Sequence, residues 1–416
     1  MNLKRVVVTG LGSLTPIGND VAATWRAMLA GVSGAGLITR FDASDFKCRI
    51  ACEVKDFNPL DFFDRKEAKK LDLFSQYGLV ASEEAIKDSG IDGDGIDKAR
   101  VGVIWGSGNG GVVSFQEEIL NYVANGRKPL FSPFFCTRMI SNICAGHISI
   151  KHGFRGPNYC TVAACASSAA AISDAFNLIR LGKADAIVAG GSEAAVAECS
   201  IGGFGSMQAL SFRNDDPATA SRPFDRDRDG FVLGEGAGAL VLESLDHAVA
   251  RGAKIYAELT GCGLSADAFH ITASHPEGLG AYEAMRQAVE ESEMSLTDVD
   301  HINTHGTSTP IGDISEPKAI VRLFGDHAQK ISLNSTKSMT GHLLGAAGSV
   351  EAIATILALE EGVIPPTINH FNDDPNIAPL DFTFNKAVRR DIQFALCNAF
   401  GFGGHNVSLA FRKYNG

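Results

Sequence analysis

Short apolar runs and longer amphipathic segments alternate along the whole chain. The apolar runs, rich in Val, Ile and Leu, predict β-strands at residues 5–9, 101–105, 185–189, 239–243, 254–259, 299–304, 331–334 and 406–411. The amphipathic segments, whose apolar positions recur every three or four residues, predict helices at residues 20–30, 66–89, 167–181, 279–293, 315–324 and 349–361. Strands that alternate with helices in this way predict an α/β fold.

A glycine follows five of the predicted helices. Glycine is favoured at this position because a left-handed backbone conformation often ends a helix, and glycine adopts it without a steric penalty. We therefore predict helix C-termini at Gly31, Gly90, Gly182, Gly325 and Gly362.

A weak internal repeat divides the chain. The sequence VVTGLG at residues 7–12 returns as ELTGCG at residues 258–263. Cys165 and His342 each precede an Ala- and Ile-rich helix that ends in a glycine. Both helices carry small residues on most faces, which suits close packing at the centre of a protein. The pattern predicts two related α/β halves with the active site at their junction, over residues 1–250 and 251–416.

Composition narrows the classes of function. The chain has 416 residues, of which 45% are hydrophobic, and its net charge of −11 argues against general nucleic-acid binding. Nine cysteines without a C-x-x-C pair indicate free thiols in a reducing compartment. No apolar stretch is long enough for a signal peptide or a membrane span, so we expect a cytoplasmic protein. A plastid or mitochondrial protein without its transit peptide fits the same pattern.

Cys165 is the most informative single residue. It stands in the sequence NYCTVAACASS, where a β-branched stretch meets a run of small helix formers. A cysteine at the start of a helix lies beside unpaired backbone N–H groups and the positive end of the helix dipole. Both favour the thiolate, which is the nucleophilic form. A lone cysteine is more often a small buried hydrophobe, so further evidence is needed.

Two histidines supply that evidence. His305 in NTHGTSTP and His342 in KSMTGHLLGAAG each stand on a turn rich in Gly, Ser and Thr. One cysteine and two histidines in such segments suggest covalent acyl chemistry. His301 and His305 also have zinc-ligand spacing, but their segment alternates like a strand, so we expect no metal site.

Gly106, Gly108 and Gly111 follow a predicted strand and match G-x-G-x-x-G. A dinucleotide site needs a helix after these glycines, then a second strand with an acidic residue. The region leads instead into the loop-like sequence NGRKPLFSP at residues 125–133. We therefore expect these glycines to allow close backbone approach rather than to bind a nucleotide.

The segments around Cys165, His305 and His342 resemble the β-ketoacyl-acyl carrier protein synthases, and specifically the type II elongating enzymes. Further matching blocks follow in order: VVVTGLG, RPFDRDRDGFVLGEGAG, PPTIN and NAFGFGGHN. The set of one Cys and two His differs from the type III initiating enzymes, whose third residue is Asn. Thiolases use a second cysteine, and Cys397 lacks that context. The resemblance implies the thiolase fold, with five layers in α-β-α-β-α order, and a homodimer.

The resemblance also implies roles for individual residues. Cys165 is the expected nucleophile, and two imidazoles are expected to donate N–H groups to the enolate formed when malonyl-carrier protein loses CO2. The backbone N–H groups of Cys165 and Phe402 are the expected donors to the tetrahedral oxyanion. A buried ion pair is expected to orient the histidines. The expected catalytic set is Cys165, His305, His342, Lys337, Glu351 and Phe402.

Substrate contacts are implied in the same way. Two hydroxyls are expected to hold the phosphopantetheine arm, an aromatic pocket to hold the acyl chain, and Gly401 to give the Phe402 loop its freedom. Asn109 is expected at the acyl tunnel, where many relatives have an apolar residue. No bound cofactor is expected, because the carrier protein brings the phosphopantetheine. The expected substrate-binding residues are Thr307, Thr309, Asn109, Phe204, Phe231 and Gly401.

Acyl carrier protein is acidic, so an acidic synthase needs a local basic surface to bind it. The sequence RKEAKKL at residues 65–71 offers three lysines within a turn and a half of predicted helix. Gln208 replaces an arginine often found in the family, which weakens one edge of this surface. The expected docking residues are Lys66, Lys69, Lys70, Arg127, Lys128 and Arg213.

Three other functions are alternatives to that of an elongating synthase. A ketosynthase of a type II polyketide pathway would use the same chemistry and stays open. A non-catalytic chain-length factor is disfavoured because such subunits lack the cysteine. A degradative thiolase is disfavoured because it would need a second catalytic cysteine.

Overall fold

The apolar runs of the sequence form strands in the computed structural model, which describes residues 3–416. The strands are β1 Val6–Leu14, β2 Gly36–Leu37, β3 Ile50–Ala51, β4 Val101–Gly106, β5 Asn158–Thr161, β6 Ala186–Glu193, β7 Gly236–Ser244, β8 Ala257–Ala266, β9 His301–Asn303, β10 Ser332–Asn334, β11 Val363–Ile364, β12 Asp381–Phe382, β13 Val388–Arg389, β14 Phe394–Gly401 and β15 His405–Lys413.

The amphipathic and small-residue segments form helices. These are α1 Val21–Leu29, α2 Arg65–Ala68, α3 Leu73–Ser89, α4 Val112–Ala124, α5 Phe135–Met139, α6 Ile143–His152, α7 Ser167–Arg180, α8 Glu198–Ser206, α9 Leu245–Ala250, α10 Leu279–Glu291, α11 Gly312–Phe324, α12 Lys337–Thr340 and α13 Ala347–Glu361. Across the described residues 3–416, no helix is both long and apolar enough to cross a membrane.

Apart from β12 at one edge, the main sheet is symmetric about the pairing of β1 with β8. Its strands lie in the order β12-β10-β9-β14-β15-β8-β1-β7-β6-β4-β5. Outward from the centre, β1, β7, β6, β4 and β5 correspond to β8, β15, β14, β9 and β10. In chain order, an outer helix (α3 or α10) lies between the first strand of each half and β4 or β9, and a buried helix (α7 or α13) lies between β5 and β6 or between β10 and β14. The two halves therefore have the same topology.

The layers follow the predicted α-β-α-β-α order. Helix α3 packs outside β1, β7 and β6, and α10 packs outside β8 and β15. Between the two sets of strands, α7 contacts β6 and β4, α13 contacts β14 and β7, and the two helices contact each other. The predicted fold class is confirmed. The halves are also hydrogen-bonded directly, because β1 pairs with β8 at Val6–Val8.

Close packing explains why the two central helices, α7 and α13, are rich in small residues. Nearly every residue of α13 is buried, so its surface must be apolar or small on all sides. Gly348, at its start, leaves no room for a side chain, because a Cβ would lie 2.8 Å from the Cβ of Ala169 on α7. This close approach brings the N-termini of the two helices together. The predicted boundary near residue 250, between α9 and β8, stays a prediction.

Local sequence signals placed most element ends within a few residues. The glycines predicted to end helices all have a positive φ, from +54° at Gly325 to +69° at Gly182. The single helix predicted at residues 66–89 is wrong, because the chain breaks it into α2 and α3. The Asp72 carboxylate caps α3 by accepting the N–H of Phe74 at 3.0 Å, and it also accepts the N–H of Ser114.

Candidate active site

Cys165 lies in a tight turn between β5 and α7. Residues Ala164–Ala166 form one 3₁₀ turn, and Ala164 has φ +48°, which is unusual for a residue other than glycine. The hydroxyl of Ser167 stabilises the turn by donating to the Ala164 carbonyl at 2.7 Å and accepting the Ala163 N–H at 2.9 Å. The turn therefore holds the sulfur at the N-terminal end of the central helix.

Burial of Cys165 opposes the charge state expected from sequence. It raises the pKa of the Cys165 thiol to about 12, although the Lys337 ammonium and the backbone N–H of Phe402 lower it. The residue is only 7% exposed, and the removal of water disfavours the thiolate that the helix N-terminus favours. The expected thiolate stays a prediction.

The two histidines lie face to edge in the same cavity. The rings of His305 and His342 have centroids 5.4 Å apart and planes at 84°. His305 follows β9, and its backbone N–H donates to Glu316 at 2.9 Å. His342 is held by its backbone, which donates to Val232 and accepts from Gly234. Segments of both halves thus fix the two rings.

Both imidazoles are neutral near pH 7. Burial lowers the pKa of His305 and of His342 well below the usual value, and the Lys337 ammonium lowers both further. Nδ1 of each ring is buried and has no hydrogen-bond partner within residues 3–416. A neutral imidazole carries one N–H, so each ring can donate one hydrogen bond into the cavity.

A buried ion pair lies behind the histidines. Lys337 and Glu351 pair directly, and their side chains are 1% and 3% exposed. Burial raises the pKa of Glu351 to about 7, and the Lys337 ammonium opposes this rise. A charge in such a site needs its partner, because an unpaired buried ion costs several kcal/mol. The pair explains why a Glu occurs in the apolar helix α13.

One cavity of about 390 Å³ collects these groups. Nine of the twelve predicted catalytic and substrate-binding residues line it: Cys165, His305, His342, Thr307, Thr309, Phe204, Phe231, Gly401 and Phe402. The hydroxyls of Thr307 and Thr309 are 3.0 Å apart, and the ring of Phe231 meets His342 edge to face at 5.2 Å. The thiol, the imidazoles, the hydroxyls and the aromatic rings therefore open into the same space.

Family comparisons agree with this geometry. The N-terminal domain of the β-ketoacyl synthases matches residues 3–248, and their C-terminal domain matches residues 256–371. The chain belongs to the β-ketoacyl synthase family. The predicted family and the predicted class of enzyme, an acyl-transferring condensing enzyme, are thereby confirmed.

Full-length relatives narrow the comparison within this family. The synthase is 49% identical over 411 residues to the 3-oxoacyl-[acyl-carrier-protein] synthase 2 of Synechocystis, covering 99% of this chain and 98% of the relative. It is 48% identical over 415 residues to the protein of that name from Vibrio harveyi, covering 99% of both chains.

Solved structures show the same fold. A β-ketoacyl synthase from Burkholderia phymatum superposes with a TM-score of 0.92 at 35% identity, covering 99% of this chain and all of that one. The ishigamide ketosynthase/chain length factor superposes with a TM-score of 0.93 at 36% identity, with the same coverage.

Gly401 is explained by the geometry of the synthase. A Cβ at this position would lie 2.6 Å from the Ala163 carbonyl oxygen and 3.1 Å from the backbone nitrogen of Cys165. A side chain would therefore push the loop away from Cys165. The close approach keeps the Phe402 loop beside Cys165, and the Phe402 N–H lowers the pKa of the thiol.

Two buried carboxylates were missed by sequence reasoning. Glu316 accepts the N–H groups of His305 and Gly306 and the side-chain amide of Asn398, at 2.9 to 3.0 Å. Glu193 accepts donors from the glycine-rich loop after β4 and from Gly345. The only signal available was an acidic residue beside small or apolar ones, as in VAGGSEAA around Glu193.

The glycine-rich loop after β4 is not free to hold a phosphate. Its N–H groups at Gly108 and Asn109 already donate to the Glu193 carboxylate, at 2.8 and 3.0 Å. A helix does follow the loop, since Val112–Ala124 forms α4, so the expectation of a loop alone was wrong. The conclusion against a dinucleotide site holds for a different reason.

Asn109 does not lie in the cavity of the single chain. Its side chain is exposed, and it is absent from the cavity lining. Its predicted contact with the acyl chain stays a prediction.

The basic residues predicted for docking are on the surface. Five of them are exposed: Lys66, Lys69, Lys70, Arg127 and Lys128. Only Lys66 lies within α2, because the helix ends at Ala68. Arg213 is half-buried and donates to the Asp227 carbonyl at 2.6 Å, so it is partly occupied. Within residues 3–416, no cluster of His, Cys, Asp or Glu is arranged to hold a metal ion.

Proposed function

We propose that this synthase elongates fatty acids by a decarboxylating Claisen condensation. An acyl thioester and malonyl-acyl carrier protein give 3-oxoacyl-acyl carrier protein and CO2. The observation that carries the proposal is the cavity in which one cysteine meets two neutral histidines. The relatives named 3-oxoacyl-[acyl-carrier-protein] synthase 2 support it. The substrates bring their own phosphopantetheine, so we propose no resident cofactor.

The first half-reaction transfers the acyl group to Cys165. The sulfur attacks the thioester carbon, a new C–S bond forms, and the bond to the phosphopantetheine sulfur breaks. The thiol proton leaves with the phosphopantetheine thiolate. The oxyanion of the tetrahedral intermediate accepts the N–H groups of Cys165 and Phe402, because preorganised donors stabilise developing charge best in a dry site.

The second half-reaction forms the carbon–carbon bond. Malonyl-carrier protein loses CO2, and the electron pair of the broken bond forms a thioester enolate. His305 and His342 each donate an N–H to the enolate oxygen. The enolate carbon then attacks the acyl carbon, and the Cys165 sulfur departs as the thiolate and regains a proton.

The other cavity residues bind the substrate arms. The Thr307 and Thr309 hydroxyls donate to the phosphopantetheine amides, and Phe204 and Phe231 contact the acyl chain. Phe402 closes the acyl pocket between half-reactions, and Gly401 allows that loop to move. Lys337 and Glu351 orient the histidines.

Separate assays of the half-reactions test the mechanism. Cys165→Ala should abolish acyl transfer, by about 10³-fold or more, and mass spectrometry should locate the acyl group of the parent on Cys165. His305→Ala and His342→Ala should reduce CO2 release far more than acyl transfer. His327→Ala, outside the cavity, is the control. An adduct on another cysteine, or parental CO2 release in both histidine variants, would contradict the proposal.

The polyketide alternative uses the same site. One structural neighbour is a type II polyketide carrier protein in complex with its ketosynthase, at 33% identity. The elongation relatives are closer, at 47–49% identity, which favours fatty acid elongation. Incubation with malonyl-carrier protein and acyl-carrier proteins of graded length separates the two. Repeated extension without ketone reduction would favour the polyketide function.

We also propose that acyl carrier protein docks on the exposed lysines Lys66, Lys69 and Lys70, with Arg127, Lys128 and Arg213 at the rim. The ammonium of Lys70 lies 5.7 Å from the Phe134 ring centre, beside an exposed aromatic surface. Reversal of the three lysines to Glu should raise KM for carrier-bound substrates, by about 0.2–1 kcal/mol per contact, and spare small thioesters. Equal loss on both substrate types would count against this docking face.

A homodimer is proposed from the exposed apolar face of α4 and the segment after it. This face consists of Phe115, Ile119, Leu120, Val123, Leu130 and Phe131, whose exposure ranges from 38% to 74%. A group of neighbouring exposed apolar side chains often marks a protein interface. Light scattering of the parent should give twice the chain mass, and Leu120→Glu should give monomers. We further propose a cytoplasmic location, to be checked by cell fractionation.

A further inference from the structure

The buried carboxylate of Glu193 accepts hydrogen bonds from two segments that are distant in the sequence. It ends β6 and is fully buried. Its Oε2 accepts the N–H groups of Gly108 at 2.8 Å and Gly345 at 2.9 Å, and its Oε1 accepts the N–H of Asn109 and the hydroxyl of Ser107. Within residues 3–416, no Lys or Arg is paired with it. Burial raises the pKa of the Glu193 carboxyl, and the four hydrogen bonds oppose this rise by stabilising the carboxylate.

The carboxylate of Glu193 lies at a turn that has a counterpart in the other half of the fold. The turn at Leu344–Ala346 is the counterpart of the nucleophile turn at Ala164–Ala166. Each is a 3₁₀ turn directly before a central helix, and the first residue of each has a positive φ, +47° and +48°. Gly345 thus takes the place of Cys165, and its N–H takes the place of the Cys165 N–H.

The strands that approach the two turns are also counterparts. β14 ends at Gly401, and the loop after it brings the Phe402 N–H to the nucleophile turn. β6 ends at Glu193, which brings its carboxylate to the Gly345 N–H. The fold therefore contains two related anion sites. One is open to the substrate, and the other is filled by the chain itself.

The filled site joins parts of the catalytic centre from both halves. Gly345 lies three residues after His342, and a Cβ on it would be 2.4 Å from the backbone nitrogen of Gly108. A Cβ on Gly108 would in turn be 3.5 Å from the carbonyl oxygen of Ala164, beside the nucleophile. The carboxylate thus anchors a continuous contact from the histidine turn to the nucleophile turn.

We propose that Glu193 is a positioning residue that fixes the His342 turn and the glycine-rich loop against the nucleophile turn by acting as the resident anion of the second site. The inference rests on the proposed condensation for its kinetic readout only. Glu193 also affects the nucleophile directly. Burial is the main cause of the raised pKa of the Cys165 thiol, and the charge of Glu193 adds to it, while Lys337 opposes it.

Glu193→Gln is the test variant because it keeps the size and removes the charge. An amide oxygen can accept from two donors, but its NH2 group would face the Asn109 N–H, so the glycine-rich loop must shift. We expect kcat for condensation to fall about tenfold or more, with KM for malonyl-carrier protein within about twofold of the parent. The pH midpoint for alkylation of Cys165 by iodoacetamide should move to lower pH, since the thiolate no longer faces an added negative charge.

Glu243→Gln is the matched control. Glu243 is equally buried, and it lies opposite Ala186 at the other end of β6, about 23 Å along the strand from Glu193. It should lower thermal stability without changing kcat per folded enzyme or the alkylation midpoint. A folded Glu193→Gln with parental kcat and midpoint, or with effects equal to those of the control, would overturn the proposal.

A second variant and an assay without substrate keep the proposal testable if Glu193→Gln does not fold or the parent does not condense. If Glu193→Gln does not fold, Ser107→Ala removes one of the four donors with less disturbance, and parental kcat in that variant would overturn the proposal. Alkylation of Cys165 needs no substrate. A parent enzyme that fails to condense would therefore refute the proposed function while the alkylation profile still decides the role of Glu193.

Discussion

Gly401→Ala should slow acylation of Cys165 while the protein still folds. The new Cβ would lie 2.6 Å from the Ala163 carbonyl oxygen, whereas ordinary contacts begin at 3.4 Å. The loop and the nucleophile turn must therefore separate by about 0.8 Å at this contact. The Ser167 hydroxyl, bonded to Ala163 and Ala164, holds the turn in place, so the loop should yield rather than the turn.

The expected loss of acylation rate follows from the Phe402 N–H, which this loop carries. The Phe402 N–H is one of two proposed donors to the oxyanion, and removal of one such donor costs about 10²–10³ in kcat. Overpacking of this kind costs about 1–3 kcal/mol of stability. We therefore expect Gly401→Ala to fold with a lowered melting temperature and to acylate Cys165 about 100-fold more slowly.

Rapid-quench mass spectrometry measures the acyl-enzyme directly. Gly36→Ala is the control, because a Cβ there meets no atom within 4 Å, and it should acylate at the parental rate. Iodoacetamide labelling of Cys165 in both variants checks that the thiol is intact. Acylation of Gly401→Ala within about twofold of the parent would refute the reasoning that this loop supplies an oxyanion donor.

Two further predictions concern charge. Lys337→Met should slow alkylation of Cys165 at pH 8 by about tenfold or more, because the ammonium lowers the pKa of the thiol; an unchanged rate, read by mass spectrometry, would contradict this. Burial opposes protonation of His152, but Glu83 and Asp92 outweigh it and raise its pKa, so the ion pairs stabilise the fold at pH 6 and are lost as pH rises. Calorimetry of His152→Ala should therefore show a loss of about 1 kcal/mol at pH 6 and less at pH 9.

The sequence alone determined features that depend on neighbouring residues. Helix ends at Gly90 and Gly362 were predictable because a left-handed backbone needs glycine at that point in the chain. The buried central helices were predictable because small residues recur on all their faces. The position of Cys165 before a helix was predictable because strand and helix formers meet there. Each of these signals lies within a window of about 18 residues or fewer along the chain.

Other features required the tertiary structure. Asp72 breaks a continuous amphipathic pattern because its carboxylate also accepts the Ser114 N–H, from a segment that the sequence does not mark as a neighbour. Burial raises the pKa of the Cys165 thiol, whereas the local sequence indicated the thiolate. Removal of water from a group depends on everything packed around it, and that cannot be read from the residues on either side.

The hydrogen-bond partners of the buried carboxylates were also determined only by the tertiary structure. Glu193 and Glu316 are ordinary acidic residues in the sequence, and they become parts of the site through N–H donors that lie far along the chain or on another element. A buried carboxylate must accept hydrogen bonds wherever donors are available. The topology, which brings the N-terminal ends of α7 and α13 together, determines which donors those are.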